Sequence, residues 1–163
     1  SSDFHSRFSA ISRTYRYIIR NSAVPSALDR NQTLWIREKI DLRSMRRASA
    51  YLIGENDFSS FRTSSCQSKT PYRNIHSIKI KKMRDLIFIE VTANAFLLNM
   101  VRIIIGTLLE VGLRKMAPRR VRQILETKDR SQAGKTSSPK GLYFMGTKYL
   151  KKYRVPSISN SVI

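Results

Sequence analysis

The alternation of apolar and polar residues predicts a β-strand over residues 12–20, in which Tyr15, Tyr17 and Ile19 share one face. A turn-rich segment over residues 21–33 follows this strand as a loop. The strand therefore carries a row of large side chains that can pack on one side of a sheet.

Two further strands are predicted over residues 74–82 and 86–93, joined by a hairpin turn at residues 83–85. The second of them is apolar on both faces, which is typical of a strand in the middle of a sheet. A last strand is predicted over residues 141–150, whereas residues 34–40 fit a short strand and an irregular connection equally well.

A first helix is expected after Asp41, a residue type that caps helices, because Leu42, Met45 and Leu52 follow helical spacing. Gly54 is the expected end of this helix, since glycine commonly terminates helices. The opposite face of the helix is basic and carries Arg43, Arg46 and Arg47.

Residues 94–113 predict a second helix that is apolar nearly all round and therefore lies in the middle of the fold. Pro118 suits the first turn of a third helix. In this third helix, the residues expected to face inward are Val121, Ile124 and Leu125, and those expected to face outward are Arg119, Arg120 and Arg122.

Residues 55–72 and 131–140 are rich in polar and basic residues and are predicted to be loops. The resulting order of elements, β, α, β, β, α, α, β, predicts an α+β domain with helices packed on one face of an antiparallel sheet. We expect one domain over residues 1–150, followed by a frayed C-terminal tail over residues 151–163.

Arg102 lies in the most apolar segment of the chain, between Met100-Val101 and three consecutive isoleucines. A guanidinium buried there without a partner would cost several kcal/mol, so it needs a carboxylate or must reach the edge of the core. Within the chain, the candidate acids are Asp57, Glu90 and Glu110. The alternative is an acid from a segment outside this sequence.

The charge balance favours a polyanionic partner. Lys and Arg number 31 against 11 acidic residues, which gives a formal net charge of +20 and a pI of about 10.9. A cationic surface of this size attracts nucleic acid and gains free energy from the release of counterions. The alternatives are a solvated basic face and an anionic membrane surface.

The sequence indicates neither a disulfide nor a metal site. Cys66 is the single cysteine, and His5 and His76 are the two histidines, so no zinc-ligand cluster is expected. The apolar stretches on either side of Arg102 are too short to span a bilayer.

Several long blocks carry a resemblance to a known family. FHSRFSA with RTYRY, YLIGENDFSSFR, CQSKTPYRNIHSI, NAFLLNMVRIIIGTLLEVG and KDRSQAGKTSSPKGLYF occur in this order. Together they resemble the C-terminal portion of the bacterial tRNA pseudouridine synthase A family over about residues 3–150. The resemblance implies the C-terminal half of a pseudouridine synthase fold.

The resemblance also implies a cofactor-free isomerisation of uridine to pseudouridine in the anticodon stem-loop of tRNA. In the family, an aspartate in an Arg-Thr-Asp motif attacks the uridine, the glycosidic bond breaks, and the base rotates and rejoins through C5. No such motif occurs in this sequence, so the chain alone is expected to be catalytically incomplete. Its six aspartates stand in other settings: Asp3, Asp29, Asp41, Asp57, Asp85 and Asp129.

By resemblance, Arg102 pairs with the catalytic aspartate, Tyr15 stacks on the target base, and Leu142 packs against that base. From the residues alone, Tyr17 is the alternative to Tyr15, and Leu142 is a core residue. A homodimer in the cytoplasm, with tRNA as its partner, is implied as well. The expected phosphate contacts are Arg7, Arg62, Lys69, Arg73 and Lys135. The competing hypothesis is a stand-alone RNA-binding domain without catalytic activity.

Overall fold

The computed structural model describes residues 3–155, which form one six-stranded sheet and three α-helices. The predicted α+β class is confirmed. The strands are β1 (Ala10–Asn21), β2 (Leu34–Ile36), β3 (Gly54–Asp57), β4 (Tyr72–Met83), β5 (Leu86–Ala93) and β6 (Leu142–Tyr149). The helices are α1 (Leu42–Ala50), α2 (Met100–Gly112) and α3 (Arg120–Thr127).

Strand β1 lies inside the sheet and pairs with three other strands. One edge pairs with β5, which continues to β4 and then to β3. The other edge pairs with β6 over its first half and with β2 near its end. The β1–β2 pairing is parallel, whereas the other pairings are antiparallel. The sheet is therefore mainly antiparallel, as predicted, and the ambiguous segment after residue 33 adds one parallel strand to it.

The three helices cover one face of the sheet, and a single hydrophobic core lies between them. On that face Tyr17 and Ile19 of β1 and Ile87 and Ile89 of β5 are fully buried. Val121, Ile124 and Leu125 of α3 join the same core, as their spacing predicts. Burial of such side chains stabilises the fold by about 1.5 to 3 kcal/mol each.

Helix α1 begins as predicted but ends earlier. The Asp41 carboxylate caps it by accepting a hydrogen bond from the Ser44 N–H at 3.1 Å. The last helical residue is Ala50, so the prediction that Gly54 ends the helix was wrong. Gly54 instead has a φ of 96° and begins β3. Its left-handed conformation turns the chain into the new strand, which most other residues would do only under strain.

The predicted loop over residues 55–72 is partly ordered into the core. Its first residues form β3, which pairs with β4 at the sheet edge, and Ser59–Phe61 forms a 3₁₀ turn. Phe58 and Phe61 are fully buried and contact each other edge to face, with ring centroids 6.0 Å apart. Two isolated phenylalanines in a polar stretch give no periodic signal, which is why the sequence pattern misses this anchor.

Helix α2 is shorter than predicted because residues 94–99 form the connection that follows β5. Asn99 marks the boundary with a φ of 61°, a conformation that asparagine tolerates better than most residues. Pro118 lies in a turn just before α3 rather than inside the helix. The buried position of α2 is confirmed, since all its residues except Arg102 and Glu110 are buried.

The start of the predicted tail is ordered. Lys151–Tyr153 forms a 3₁₀ turn, and the Tyr153 ring contacts Phe4 with centroids 5.3 Å apart. The remainder of the tail, residues 156–163, lies outside the described residues. Within residues 3–155, every helix is too short or too polar to span a lipid bilayer.

Replacing Phe61 by alanine should destabilise the protein strongly, because it removes a fully buried ring from the core. We expect the free energy of unfolding to fall by about 3 to 5 kcal/mol in urea denaturation. The matched control is Phe8→Ala, since the Phe8 side chain is 76% exposed. Equal stabilities of the two variants would contradict the placement of Phe61 in the core.

Candidate active site

Arg102 is held by neutral acceptors. Its Nε donates to the Ser137 carbonyl at 2.7 Å, and its Nη1 donates to the Asn99 side-chain oxygen at 3.2 Å. The side chain is half-buried rather than deeply buried. Among residues 3–155, no carboxylate lies within ion-pair distance of this guanidinium. The group is therefore fixed in direction while its charge stays uncompensated by the described chain.

The acids that the sequence offered as partners of Arg102 are engaged elsewhere or stand apart. Glu90 pairs with Arg16 across the β1–β5 register at 2.6 Å. Asp57 accepts hydrogen bonds from Ser59 and lies 3.9 Å from the Lys128 ammonium. Within the described residues, Glu110 forms no ion pair.

The segment of residues 134–138, which we call the clamp loop, supplies the carbonyl that orients Arg102. It packs directly against α2, and two glycines stand at the contact. A Cβ on Gly106 would lie 1.7 Å from the Lys135 carbonyl oxygen, far closer than two such atoms can approach. A Cβ on Gly134 would likewise stand 2.7 Å from the Gly106 backbone. Only the absence of side chains at both positions permits this approach.

Hydrogen bonds fix the clamp loop at both ends. The buried Thr107 hydroxyl accepts from the Gly134 N–H at 2.9 Å and donates to the Ile103 carbonyl at 2.9 Å. The Ser137 N–H donates to the Arg102 carbonyl at 3.1 Å. Ser137 and Arg102 thus exchange two hydrogen bonds, so the position of the guanidinium follows the position of the loop.

Tyr17 fixes the end of the clamp loop from the sheet side. Its hydroxyl donates to the Ser138 carbonyl at 2.6 Å, and its side chain is fully buried. Burial raises the pKa of the Tyr17 hydroxyl to about 12, although the nearby Arg102 charge acts in the opposite direction. Tyr17 therefore remains a neutral donor at physiological pH.

Tyr15 stands two residues away on the same face of β1 but outside the deep core. Its ring makes edge-to-face contacts with Phe96 and with Phe144 of β6, each with centroids 5.3 Å apart. It lines an open cleft together with Phe96 and Asn99, the residue that binds Arg102. The cleft therefore has an aromatic platform at Tyr15, and one of its lining residues, Asn99, binds the oriented Arg102 guanidinium. This combination suits a base and an anionic reacting group.

Basic residues surround this cleft. The cleft continues into an adjoining hollow that shares Tyr15 and Phe96 with it and is also lined by Arg7, Arg13 and Arg73. Arg62 lies close enough to influence both Arg73 and Cys66 electrostatically. Burial would raise the pKa of the Cys66 thiol, but hydrogen bonds from the Leu98 and Ser68 amides and the Arg62 charge outweigh it and lower the pKa. The cleft thus carries positive potential.

Comparison with known proteins identifies the family of this chain. Residues 48–149 match the family described as tRNA pseudouridine synthase. This match covers more than half of the chain. The chain belongs to the tRNA pseudouridine synthase family.

Proteins named tRNA pseudouridine synthase A are among its relatives in this family. One from Francisella tularensis subsp. holarctica (strain FTNF002-00 / FTA) is 48% identical over 149 residues, which covers 91% of this chain and 58% of the relative. One from Francisella tularensis subsp. novicida (strain U112) is 48% identical over 147 residues, covering 90% and 57%. One from Francisella philomiragia subsp. philomiragia is 46% identical over 147 residues, covering 90% and 57%. The chain spans less than two thirds of the length of these relatives.

The residues predicted from the resemblance to the synthase family do not all meet in the cleft. Tyr15, Arg7 and Arg73 line it. Arg102 does not line it but donates a hydrogen bond to Asn99, which does. Leu142 begins β6 opposite Tyr17 and is partly buried against the core, as a plain core residue would be. Lys69 and Lys135 are exposed. The catalytic roles of Arg102, Tyr15 and Leu142 remain predictions.

Sequence reasoning missed four residues that border the cleft of this synthase-family chain. They are Arg13, Asn94, Phe96 and Asn99. Arg13 lies two residues before Tyr15 on β1, so the two side chains share a strand face, but its place in the cleft also depends on the contact with the Arg7 carbonyl, which leaves no signal in the sequence. The two asparagines and Phe96 were predicted to belong to α2, which begins at Met100 and leaves them in a connecting loop. The run of residues Asn94–Asn99 without strict periodicity was the available signal.

Thr107→Val should weaken the clamp loop without changing the shape of the core, because valine lacks the hydroxyl that binds the Gly134 N–H. We expect a loss of about 1 to 3 kcal/mol in the free energy of unfolding and faster hydrogen exchange at the Gly134 amide. Thr107→Ser retains the hydroxyl and should retain most of the protection. Unchanged exchange at Gly134 in the valine variant would show that Thr107 does not hold this loop.

Proposed function

We propose that the complete protein is a cofactor-free isomerase that converts uridine to pseudouridine in the anticodon stem-loop of tRNA. This chain would supply the arginine and the aromatic platform of the active site. The nucleophilic aspartate would come from a segment outside this sequence. The observation that carries the proposal is the Arg102 guanidinium, which is oriented by two neutral acceptors beside an aromatic cleft.

The proposed chemistry requires a carboxylate that stays ionised while it attacks the nucleoside. The N1–C1′ glycosidic bond breaks, the C5–C1′ bond forms, and N1 gains a proton while the C5 proton is released to solvent. A guanidinium beside the carboxylate lowers its pKa and holds it in one orientation. Because Arg102 is already held by Ser137 and Asn99, forming this pair needs little further ordering.

Tyr15 is the residue proposed to stack on the uracil base. Its two aromatic neighbours hold the ring edge to face, so a base can approach without displacing it. Leu142 is retained as a proposed contact of the base on the strength of the resemblance, and Arg62, Lys69 and Lys135 as proposed phosphate contacts. The net charge of +20 favours the approach of a polyanion such as RNA.

The proposal extends to assembly and location. We infer from the family resemblance a homodimer that acts on tRNA in the cytoplasm. A single cysteine in 163 residues fits a reducing compartment. The alternative function is a stand-alone RNA-binding domain without catalytic activity.

Replacing Arg102 should lower the rate of the reaction far more than the affinity for RNA. In the complete protein, Arg102→Lys keeps a positive charge but loses the fork that can hold both a carboxylate and the Ser137 carbonyl. We expect the rate of pseudouridine formation to fall by about a hundredfold or more, with the dissociation constant for the stem-loop changed by less than about threefold. The measurement is single-turnover tritium release from tRNA labelled at uridine C5.

The control for Arg102 is Arg47→Lys, an exposed position on α1. It should leave both the rate and the RNA affinity unchanged. Thermal melting of each variant separates loss of folding from loss of function. A parallel loss of rate and affinity in Arg102→Lys would contradict the pairing role and favour the RNA-binding alternative.

RNA in the cleft should shield Cys66 from alkylation, because this half-buried thiol lines the cleft beside Tyr15. We expect saturating anticodon stem-loop RNA to slow the reaction of Cys66 with iodoacetamide by about tenfold or more, as measured by mass spectrometry of the peptide that contains it. The reaction in denaturant, where the RNA cannot protect, is the control. An unchanged alkylation rate in the folded protein would place the RNA elsewhere.

A further inference from the structure

Two arginines on the wall of the cleft are held in place by backbone carbonyls. The Arg13 Nη2 donates to the Arg7 carbonyl at 2.6 Å. The Arg73 Nη1 donates to the carbonyls of Thr70 at 2.9 Å and Tyr72 at 2.7 Å. Within residues 3–155, no carboxylate lies within ion-pair distance of either guanidinium. Both groups are therefore ordered without being neutralised.

The contrast with other arginines of the same strand is informative. On β1, Arg16 pairs with Glu90 and Arg20 pairs with Asp29. Arg13, three residues before Arg16, is the one that lines the cleft. Ion pairs thus neutralise the two arginines of β1 that lie outside the cleft. Arg13, inside the cleft, has no acidic partner among the described residues and keeps its positive charge.

The surroundings of Arg73 add to this deficit of negative charge. Burial lowers the pKa of the Arg73 guanidinium, the charges of Arg62 and Arg13 push it in the same direction, and the Cys66 thiol opposes them. The Arg73 Nε is shielded from water and has no hydrogen-bond partner among the described residues. A buried donor without an acceptor is unusual, and an anion in the cleft would stabilise the guanidinium charge that burial and the neighbouring arginines oppose.

A neutral donor completes the same wall. The Asn94 side-chain oxygen accepts hydrogen bonds from the backbone N–H groups of Asn74 at 2.9 Å and Ala95 at 2.8 Å. These bonds fix the orientation of the amide, so its NH₂ group is the end left for a ligand. Asn94 is exposed and lines the cleft with Arg13 and Arg73. The wall therefore offers donors from three side chains, which suits a ligand composed of acceptors.

We propose that Arg13, Arg73 and Asn94 bind one phosphodiester group of the RNA backbone, next to the nucleotide whose base stacks on Tyr15. The inference rests on the proposed function, since it takes the cleft as the RNA site. A phosphate offers acceptor oxygens and a negative charge, which match two guanidinium groups and an amide. Tyr15 lines the same cleft as all three residues, so the phosphate belongs to the target nucleotide or to its immediate neighbour. The contact would set the register of the RNA on the enzyme.

The salt dependence of RNA binding tests the proposal in the complete protein. Arg73→Gln and Arg13→Gln each remove one charge, and glutamine keeps an amide that can still donate to the local carbonyls. We expect the slope of log K against log salt for a fluorescent anticodon stem-loop to become shallower by about 0.7 to 0.9 in each variant. Arg47→Gln, on the exposed face of α1, is the matched control and should keep the wild-type slope.

A second test changes the RNA and leaves the protein intact, so it does not depend on how the variants fold. Stem-loops that carry a single neutral methylphosphonate are compared, one linkage at a time around the target uridine. One linkage should weaken binding to the wild-type protein, and the same substitution should weaken binding to Arg73→Gln by clearly less. Equal sensitivity of both proteins at every linkage would overturn the proposed contact.

The outcomes separate this inference from the function on which it rests. A flat salt response of the wild-type protein would remove the RNA-binding function itself. A steep wild-type response with unchanged slopes in both glutamine variants would leave that function and overturn the phosphate site alone. Inorganic phosphate, compared with chloride at matched ionic strength, should compete only weakly. Tight competition would assign the site to a free anion and contradict the RNA contact.

Discussion

The structure of the candidate site depends on the close packing of the clamp loop on α2. Gly106 and Gly134 let two backbones approach to a distance that any side chain would prevent. This approach brings the Ser137 carbonyl to the Arg102 Nε, while Tyr17 and Thr107 fix the loop from the sheet and from the helix. A charged side chain in an apolar helix is thereby given a fixed direction by neutral groups, and its charge remains available to another partner.

Other arginines along the cleft are also oriented by neutral acceptors. Arg13 and Arg73 are ordered by carbonyl groups. Glu90 of β5 and Asp29 of the loop between β1 and β2 instead pair with arginines outside the cleft. Neutral acceptors orient a cation without cancelling its field, which favours the binding of an anion from outside. The cleft of this chain therefore combines an aromatic surface around Tyr15 with preorganised positive charge.

Local patterns predicted much of the fold. The alternation in β1, the apolar run in β5 and the helical spacing in α1 and α3 correspond to the observed elements, because these segments each bury one continuous face. The parallel strand β2 has only three residues, too few for a period, and Phe58 and Phe61 are anchored by tertiary packing within a polar segment. The start of α2 was predicted too early because residues 94–99 are apolar but not helical.

The candidate site was less predictable than the fold. Arg102 was singled out because a charge in an apolar segment demands a partner, yet neither of its partners found here, the Ser137 carbonyl and the Asn99 amide, leaves a sequence signal. Backbone carbonyls can come from any residue type. For the same reason Arg13 was not recognised, since its place in the cleft follows from the sheet register and the fold of the N-terminal segment.

The central claim is that this chain holds an incomplete active site, in which an oriented arginine and an aromatic cleft require a carboxylate from outside the sequence. The most direct measurement is tritium release from tRNA labelled at uridine C5, carried out with this chain alone and with the longest natural protein that contains it. We expect release only from the longer protein, and it should stop when the aspartate of its Arg-Thr-Asp motif is replaced by asparagine. Release by the chain alone would mean that one of its own acids is the nucleophile, which would contradict this account of Arg102.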